Sequence, residues 1–337
     1  MSNPEVSIVV LSYNRQAEIE KNLPYLAAWT EKTQNELILV ENKSTDDSLA
    51  IARKIAEQYP HIQIVANEEN LGVGLGRNKG FRLAKGDIIL NLDDDSRPDE
   101  NFLDDLTALF RAYPDVGILS PLIVHPTLGM RQNGDSDDPH YVANFHGSCH
   151  AISKVVFEKI GYLDPDCRFG GEEIDFSIRA HKVGIKTLYH PDYKCYHNNF
   201  VRDNKQEDHF RVSQWHYNYC RVLGKSFPAP VARKFARAYR NHQFAKLLFS
   251  KKKMVGLGLF MEMCKKGLAD GMKQNEPCPQ ETLDFYMNPH MIPEYGNVTL
   301  TQKIIWKLMK KKIADPPRAE RKDLSAYRET SAATKSS

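Results

Sequence analysis

Three consecutive carboxylates, Asp93, Asp94 and Asp95, follow the apolar run Ile88-Ile89-Leu90-Asn91-Leu92 and precede Ser96-Arg97-Pro98. Carboxylates this close repel one another, and a strand end keeps them together where something offsets the charge. Hard oxygen ligands suit a divalent cation such as Mg²⁺ or Mn²⁺. The plainer alternative is a solvated acidic turn capping a helix that starts near Asp99. A second acidic group, Phe169-Gly170-Gly171-Glu172-Glu173-Ile174-Asp175, sets two glycines before three acids that open a helix. Acids in a first helical turn complement the macrodipole, which is reason enough for any one of them. The same field keeps a carboxylate ionised at neutral pH, as a general base must be. His197 follows on a strand candidate; a histidine standing alone is a structural residue more often than a ligand. Gly72, Gly74 and Gly76 do not form a dinucleotide-binding fingerprint. That motif follows the first strand of its unit, and here the first strand ends in Leu11-Ser12-Tyr13-Asn14-Arg15 without a glycine.

The elements that must position these residues alternate. Short apolar runs at 6–11, 37–40, 62–65 and 87–92 read as strands. Between them lie a helical stretch over 15–30 that Pro24 must kink or interrupt, a helix to Tyr59 opened by a capping box of Ser44 and Asp47, and a helix over 76–84 behind a glycine-rich turn. Such alternation predicts an α/β fold, a mostly parallel sheet flanked by helices, with its ligand site beyond the carboxyl ends of the strands. The acidic triplet sits at one such end. Residues 121–145 form a Pro/Gly/Asp-rich loop too long for mere punctuation. Structure resumes at 147–153, with helices over 154–160 and from near Gly171, then two short strands near 187–189 and 193–197. Beyond residue 200 the chain reads as helices bearing aromatic and basic residues. These boundaries divide it into a catalytic unit at 1–200, a helical, basic C-terminal region at 201–313 and a polar, disordered tail at 314–337.

With 41% hydrophobic and 26% charged residues, the 337-residue chain has the composition of a soluble globular protein. Its N-terminus lacks the basic and apolar regions of a signal peptide, and no apolar run is long enough to span a bilayer. Six cysteines without a CxxC pair read as reduced thiols, which points to the cytoplasm. The net charge of +3 conceals an asymmetry: residues 1–200 carry 20 Lys/Arg against 30 Asp/Glu, residues 201–337 carry 26 against 13. A basic second part suits an anionic membrane surface or a negatively charged acceptor. Nucleic acid is not expected, because no recognisable motif accompanies the charge. Residues 300–313 set Ile304, Ile305, Trp306, Leu308 and Met309 among five lysines, a pattern suited to lying on an anionic bilayer. Lys251-Lys252-Lys253 adds to it. Packing of that apolar face on the catalytic unit accounts for the pattern equally well.

Taken in order, the motifs resemble those of the inverting family 2 glycosyltransferases, which have the Rossmann-like GT-A fold; the resemblance covers roughly residues 5–200. Ser7-Ile8-Val9-Val10-Leu11-Ser12-Tyr13-Asn14-Arg15 resembles the first strand and donor loop, implying Ser12, Tyr13, Asn14 and Arg15 at the nucleotide sugar. Val40-Glu41-Asn42-Lys43-Ser44-Thr45-Asp46 resembles the segment whose acid contacts the nucleobase, with Glu41 for the commoner aspartate and Lys43 for a glycine. Asn70-Leu71-Gly72 through Arg77-Asn78-Lys79-Gly80 resembles a further nucleotide-side segment, implying Asn70, Gly72, Arg77 and Asn78. Asp93-Asp94-Asp95 matches the DXD motif: Asp95 would bind the metal, Asp93 the ribose or the metal shell, and Asp94 would lie on the donor side. Gly171-Glu172-Glu173-Ile174-Asp175 resembles the segment that supplies the catalytic base. Glu173 stands where an aspartate is usual, so the base falls among Glu172, Glu173 and Asp175, with Glu173 favoured. His197 matches the histidine that completes the metal site. Asn144-Phe145-His146-Gly147-Ser148-Cys149-His150 lies where family members border the acceptor; a buried strand with incidental His146 and His150 is an equally good reading.

The resemblance implies transfer of a hexosyl or deoxyhexosyl group, with inversion, from a UDP- or dTDP-linked donor to a hydroxyl of a glycan or lipid-linked acceptor. Mn²⁺ or Mg²⁺ would assist, and the setting would be surface polysaccharide or lipopolysaccharide synthesis at the inner face of the plasma membrane. Two other readings compete. A sugar nucleotidyltransferase would carry its glycine-rich, basic loop after the first strand, where this chain has none. A glycan-binding or scaffold protein that kept the fold and lost turnover is opposed by acids at both the metal and base positions.

Overall fold

Four parallel strands form the half of the sheet that carries the acidic triplet. The computed structural model describes residues 4–134, 136–198, 205–249, 256–287 and 317–328. Strand β1 (Val6–Ser12) lies between β2 (Glu36–Glu41) and β4 (Ile88–Asp93), with β3 (Ile62–Ala66) outside β2. Helices α1 (Gln16–Thr33), α2 (Ser48–Gln58) and α3 (Gly72–Leu83) make the crossovers. Both faces of the sheet are covered, so β1 and β4 are apolar at successive positions instead of alternating. Helix α1 continues through Pro24, against the expected interruption. The ring forfeits only the bond to the Glu20 carbonyl, while Leu23, Leu26, Ala27 and Trp29 hold the helix to the core. The capping box is also corrected. Helix α2 starts at Ser48 without a side-chain cap, and Ser44 Oγ instead accepts the Asn14 N–H at 2.9 Å.

The second half of the sheet adds β5 (Ser96–Pro98), β6 (Val116–Val124), β7 (His140–Tyr141), β8 (Cys149–Ser153) and β9 (Lys186–His197). Its order is β3-β2-β1-β4-β8-β6-β9-β5, with β7 on β9. Strand β8 runs antiparallel between β4 and β6, while β6 and β9 are parallel. Helices α4 (Glu100–Ala112), α5 (Lys154–Ile160) and α6 (Glu172–Lys182) complete the layers. Two expectations change. Strand β6 runs on through Pro121, and the two short strands near 187 and 193 are one. A single irregularity explains both: the β6–β9 register shifts between Pro121 and Leu122, where His190 is followed by Lys194. The proline falls where the ladder is already interrupted.

Helices α7 (Lys205–Ser226), α8 (Ala229–Phe249), α9 (Leu257–Lys273) and α10 (Gln280–Met287) follow. Gly267 and Gly271 let α9 meet α7 backbone to backbone, since a Cβ at either would run into the carbonyl of Tyr217 or Arg221. Val222, Leu223, Phe227, Ala232 and Phe260 share one core with Ala143, Cys167 and Ile178, so this region packs directly on the strand-bearing unit. Residues 317–328, expected in a disordered tail, are instead ordered against the sheet. Ala319 and Leu324 join the main core, and the Tyr141 N–H donates to the Pro317 carbonyl at 3.0 Å. Apolar residues spaced along this polar segment supply the burial that its composition concealed. The lysine-rich stretches at 251–253 and 300–313 lie outside the described residues. All six cysteines are free and buried. Among the described residues no helix is long and apolar enough to cross a membrane.

Candidate active site

The carboxyl ends of β1 and β4 bring Arg15 and the acidic triplet together. Asp93, Asp95 and His197 each offer a ligand atom, and these atoms lie within 4.8 Å of one another. Two carboxylates and an imidazole suit Mn²⁺ or Mg²⁺. His197 ends β9, pairs with Ser96 of β5, and sets Nε2 3.3 Å from Asp95 Oδ1. Burial pulls this histidine down, but the hydrogen bond to Asp95 and the charges of Asp95 and Asp93 together hold the ring above its ordinary value. Arg15 reaches Asp94 at 3.7 Å and Asp95 at 3.5 Å. Burial, with Asp95 alongside, still pushes Asp94 up to about 8.

Arg77, on α3, is the hub of the floor. Its Nη2 donates to Asp93 Oδ1 at 2.8 Å and to the Gly147 carbonyl at 2.9 Å, while Nη1 stands 3.6 Å from both Glu172 and Glu173. Burial raises Asp93, yet Arg77 keeps it below the usual carboxylate range. The three acids of α6 occupy three environments. Asp175 is fully buried with both oxygens engaged, by Arg179 at 2.7 Å and Lys225 at 3.0 Å. It ties α6 to α7. Glu172 is 3% exposed, and burial followed by Glu173 raises it to about 8. Glu173, its side chain 18% exposed, is raised by burial and held back by Arg77. Gly147 allows this approach, because a Cβ there would strike the Glu173 carboxylate. His146 is pulled to about 4 by burial and by His197, its ring 5.8 Å from His197; His150 is a core residue, its ring tilted against Phe145 with centroids 4.2 Å apart.

On the nucleotide side the pieces interlock. Asn14 and Lys43 both have positive φ, 53° and 65°. A left-handed backbone at 43 is the physical reason for a glycine there in the resembled segment. Glu41 is buried, its Oε1 accepting the Ser44 N–H at 2.7 Å. Ser12 is buried at the end of β1, and Tyr13 begins the turn. Asn70 Oδ1 accepts from Asn42 Nδ2 at 3.0 Å and from the Gly72 N–H at 2.9 Å, and Gly72 needs its φ of 77°. Asn78 departs from expectation. It is 1% exposed and spends its amide on both backbone groups of Leu163, at 2.9 and 3.0 Å. Sequence reasoning missed Gln132 and Gly147, whose partners lie dozens of residues away; Gly147 had only its place in a segment noted for its histidines.

Carboxylates gathered at the ends of parallel strands, beside a metal-type donor trio, are the features of a GT-A fold. Residues 7–170, just under half of the chain, match the profile described as "Glycosyl transferase family 2". It is 29% identical over 209 residues to an uncharacterised glycosyltransferase of Haemophilus influenzae, covering 57% of this chain and 64% of that one. Over 93 residues it is 36% identical to the poly(ribitol-phosphate) beta-glucosyltransferase of Bacillus spizizenii, covering 27% and 15%. Glycosyltransferase AglE of Haloferax volcanii is 31% identical over 102 residues, covering 30% and 34%, so the matches span only part of these relatives. Among solved structures, GalNAc-T7 with UDP, GalNAc and Mn²⁺ superposes with a TM-score of 0.55 at 18% identity, covering 81% of this chain and 56% of that one. S. aureus TarS residues 1–349 with UDP-GlcNAc gives 0.52 at 16%, covering 90% and 78%.

Proposed function

We propose that the protein is a metal-assisted, inverting glycosyltransferase that moves a sugar from a nucleoside diphosphate donor to a hydroxyl of a glycan or lipid-linked acceptor of a surface polymer. The observation that carries this reading is the sorting of the α6 acids. Asp175 is consumed by Arg179 and Lys225, and Glu172 is buried, with burial and then Glu173 raising it to about 8. Glu173, its side chain 18% exposed, is the acid of the three that is open to solvent. Asp93, Asp95 and His197 would hold the cation, which when bound offsets the charge that gathers on a diphosphate leaving group. Glu173 would take the proton from the acceptor hydroxyl as it attacks the anomeric carbon from the face opposite that group. Arg77 keeps Asp93 and Glu173 at fixed separation and Arg15 stands beside Asp94 and Asp95, so both guanidiniums are already paired with carboxylates and the bound cation would supply the positive charge that a polyanionic donor meets. The UDP and Mn²⁺ of one superposed structure and the UDP-GlcNAc of the other support this donor and cation class.

Calorimetric titration with UDP, GDP, dTDP and CMP, each with Mn²⁺ and with EDTA, tests the reading. Metal-dependent binding of one of them is expected, and no binding under either condition would point to a scaffold. Glu173→Gln should reduce transfer by roughly 10²–10⁴, the worth of general-base help, with donor affinity nearly intact. Loss of donor affinity without loss of turnover would move the base elsewhere. An anionic membrane surface is the proposed setting, supported by the acid-free, basic helix α8.

A further inference from the structure

A hairpin over residues 123–132 brings the segment after β6 back to the metal-type site. The Gln132 N–H donates to the Ile123 carbonyl at 2.8 Å, the His125 N–H to the Met130 carbonyl at 2.9 Å, and Val124 bridges Arg131. Asn133 locks the base, accepting the Ile123 N–H at 2.6 Å and donating to the Pro121 carbonyl at 2.8 Å. With its backbone fixed, Gln132 grips His197 twice: Nε2 donates to the His197 carbonyl at 2.9 Å, and Oε1 stands 2.7 Å from His197 Nδ1.

The chemistry of the partners leaves one arrangement. A backbone carbonyl only accepts, so the amide nitrogen of Gln132 must face it, and the amide oxygen must face the ring. That oxygen also only accepts, so Nδ1 carries the ring proton. Nε2, 3.3 Å from Asp95 Oδ1, is then the nitrogen that faces the cation site: it donates to Asp95 while it carries a proton and offers its lone pair to a cation once that proton has left. Metal-bound histidines are commonly fixed in this way by an acceptor on the far nitrogen.

We infer that Gln132 is the positioning residue of the cation site, holding His197 in the Nδ1–H tautomer and aiming Nε2 at Asp95. The inference rests on the proposed metal role of Asp93, Asp95 and His197. Gln132 acts through His197, which it holds at the carbonyl and at Nδ1. It also makes the hairpin, whose tip exposes Leu128 at 63% and Met130 at 58%, continuous with the cation site.

Two measurements decide the matter. Calorimetric titration of Mn²⁺ in the presence of UDP should show Gln132→Leu binding at least about 10-fold more weakly than wild type, while Leu128→Ser, at the tip, binds as wild type does. Nitrogen NMR of the metal-free wild type at alkaline pH should show His197 protonated at Nδ1 and bare at Nε2; this arm holds even if Gln132→Leu fails to fold. Wild-type Mn²⁺ affinity in a folded Gln132→Leu, or an Nε2–H tautomer in the wild type, overturns the inference. Failure of the wild type to bind Mn²⁺ with UDP while the Nδ1–H tautomer is observed overturns the metal reading instead, and with it the role of Gln132 in that site.

Discussion

A single guanidinium stands among three carboxylates at the floor of the cleft. Arg77 gives its short bond to Asp93 and divides Nη1 between Glu172 and Glu173 at equal distance. One positive charge in a buried site does not sustain three negative ones, so one acid keeps its proton. The most buried, Glu172, with Oε2 lacking a hydrogen-bond partner, is that acid. Its folded pKa is raised from 4.5 to about 8, so the folded protein holds a proton that the unfolded chain releases in between. Stability from this group is complete below the lower value and is lost as pH rises through the upper one. Glu172→Gln stays neutral and escapes the loss. Its advantage in denaturant-measured stability should therefore grow across this window to on the order of 1–3 kcal/mol. Parallel stability curves for the two proteins would remove the shared proton from Glu172. Arg77 was visible in the sequence only as part of a nucleotide-side motif. Its role as a hub depends on Gly147 and α6, brought in by tertiary packing that no local spacing reports.

At the scale of elements, the alternation of strands and helices through β4 was legible because period and punctuation are local. What was illegible came from pairing across long separations: β9 joined across its irregularity by β6, and the segment 317–328. That segment is polar in composition, yet its backbone pairs with β7 and the proline before it, and Tyr113 donates to the Glu320 carbonyl at 2.7 Å. Arg328 grips buried Asp105 with two bonds of 2.7 Å, beside the hydroxyl of Tyr193. Tyr286 of α10 donates to the Ala143 carbonyl at 2.7 Å, so α10 and Pro317 are both held within a few residues of β7. A chain ending at residue 316 should lose about 2–4 kcal/mol of stability, from the burial of Leu324 and the charged bonds to Asp105. Leu324→Ala alone should lose about 2 kcal/mol. A truncated protein with an unchanged unfolding midpoint would return this segment to the status of a passive tail.

Across the whole molecule, charge separates along the chain. The strand-bearing part is acidic, although its proposed donor is an anion, which makes a bound cation necessary to draw that donor in. The helical part is basic. Helix α8 carries Arg233, Lys234, Arg237, Arg240 and Lys246 with no acid, and exposes Arg233, Lys234 and Arg237 beside Phe244. Helix α9, packed against it, exposes Leu259 and Met261 before Lys265 and Lys266. Basic residues interleaved with exposed apolar ones favour a bilayer interface over a purely polyanionic partner. Repulsion of the acidic part from the same surface would then orient the cleft away from the headgroups. Flotation with phosphatidylglycerol vesicles should carry the protein upward at low salt and release it as salt screens the attraction. Neutral phosphatidylcholine vesicles should hold much less. Each basic residue near such a surface is worth about 1 kcal/mol, so replacing Arg233, Lys234 and Arg237 with alanine should weaken partitioning on the order of 100-fold. Equal recovery on neutral and anionic vesicles, or an unaltered triple variant, would leave α8 with no part in membrane attachment.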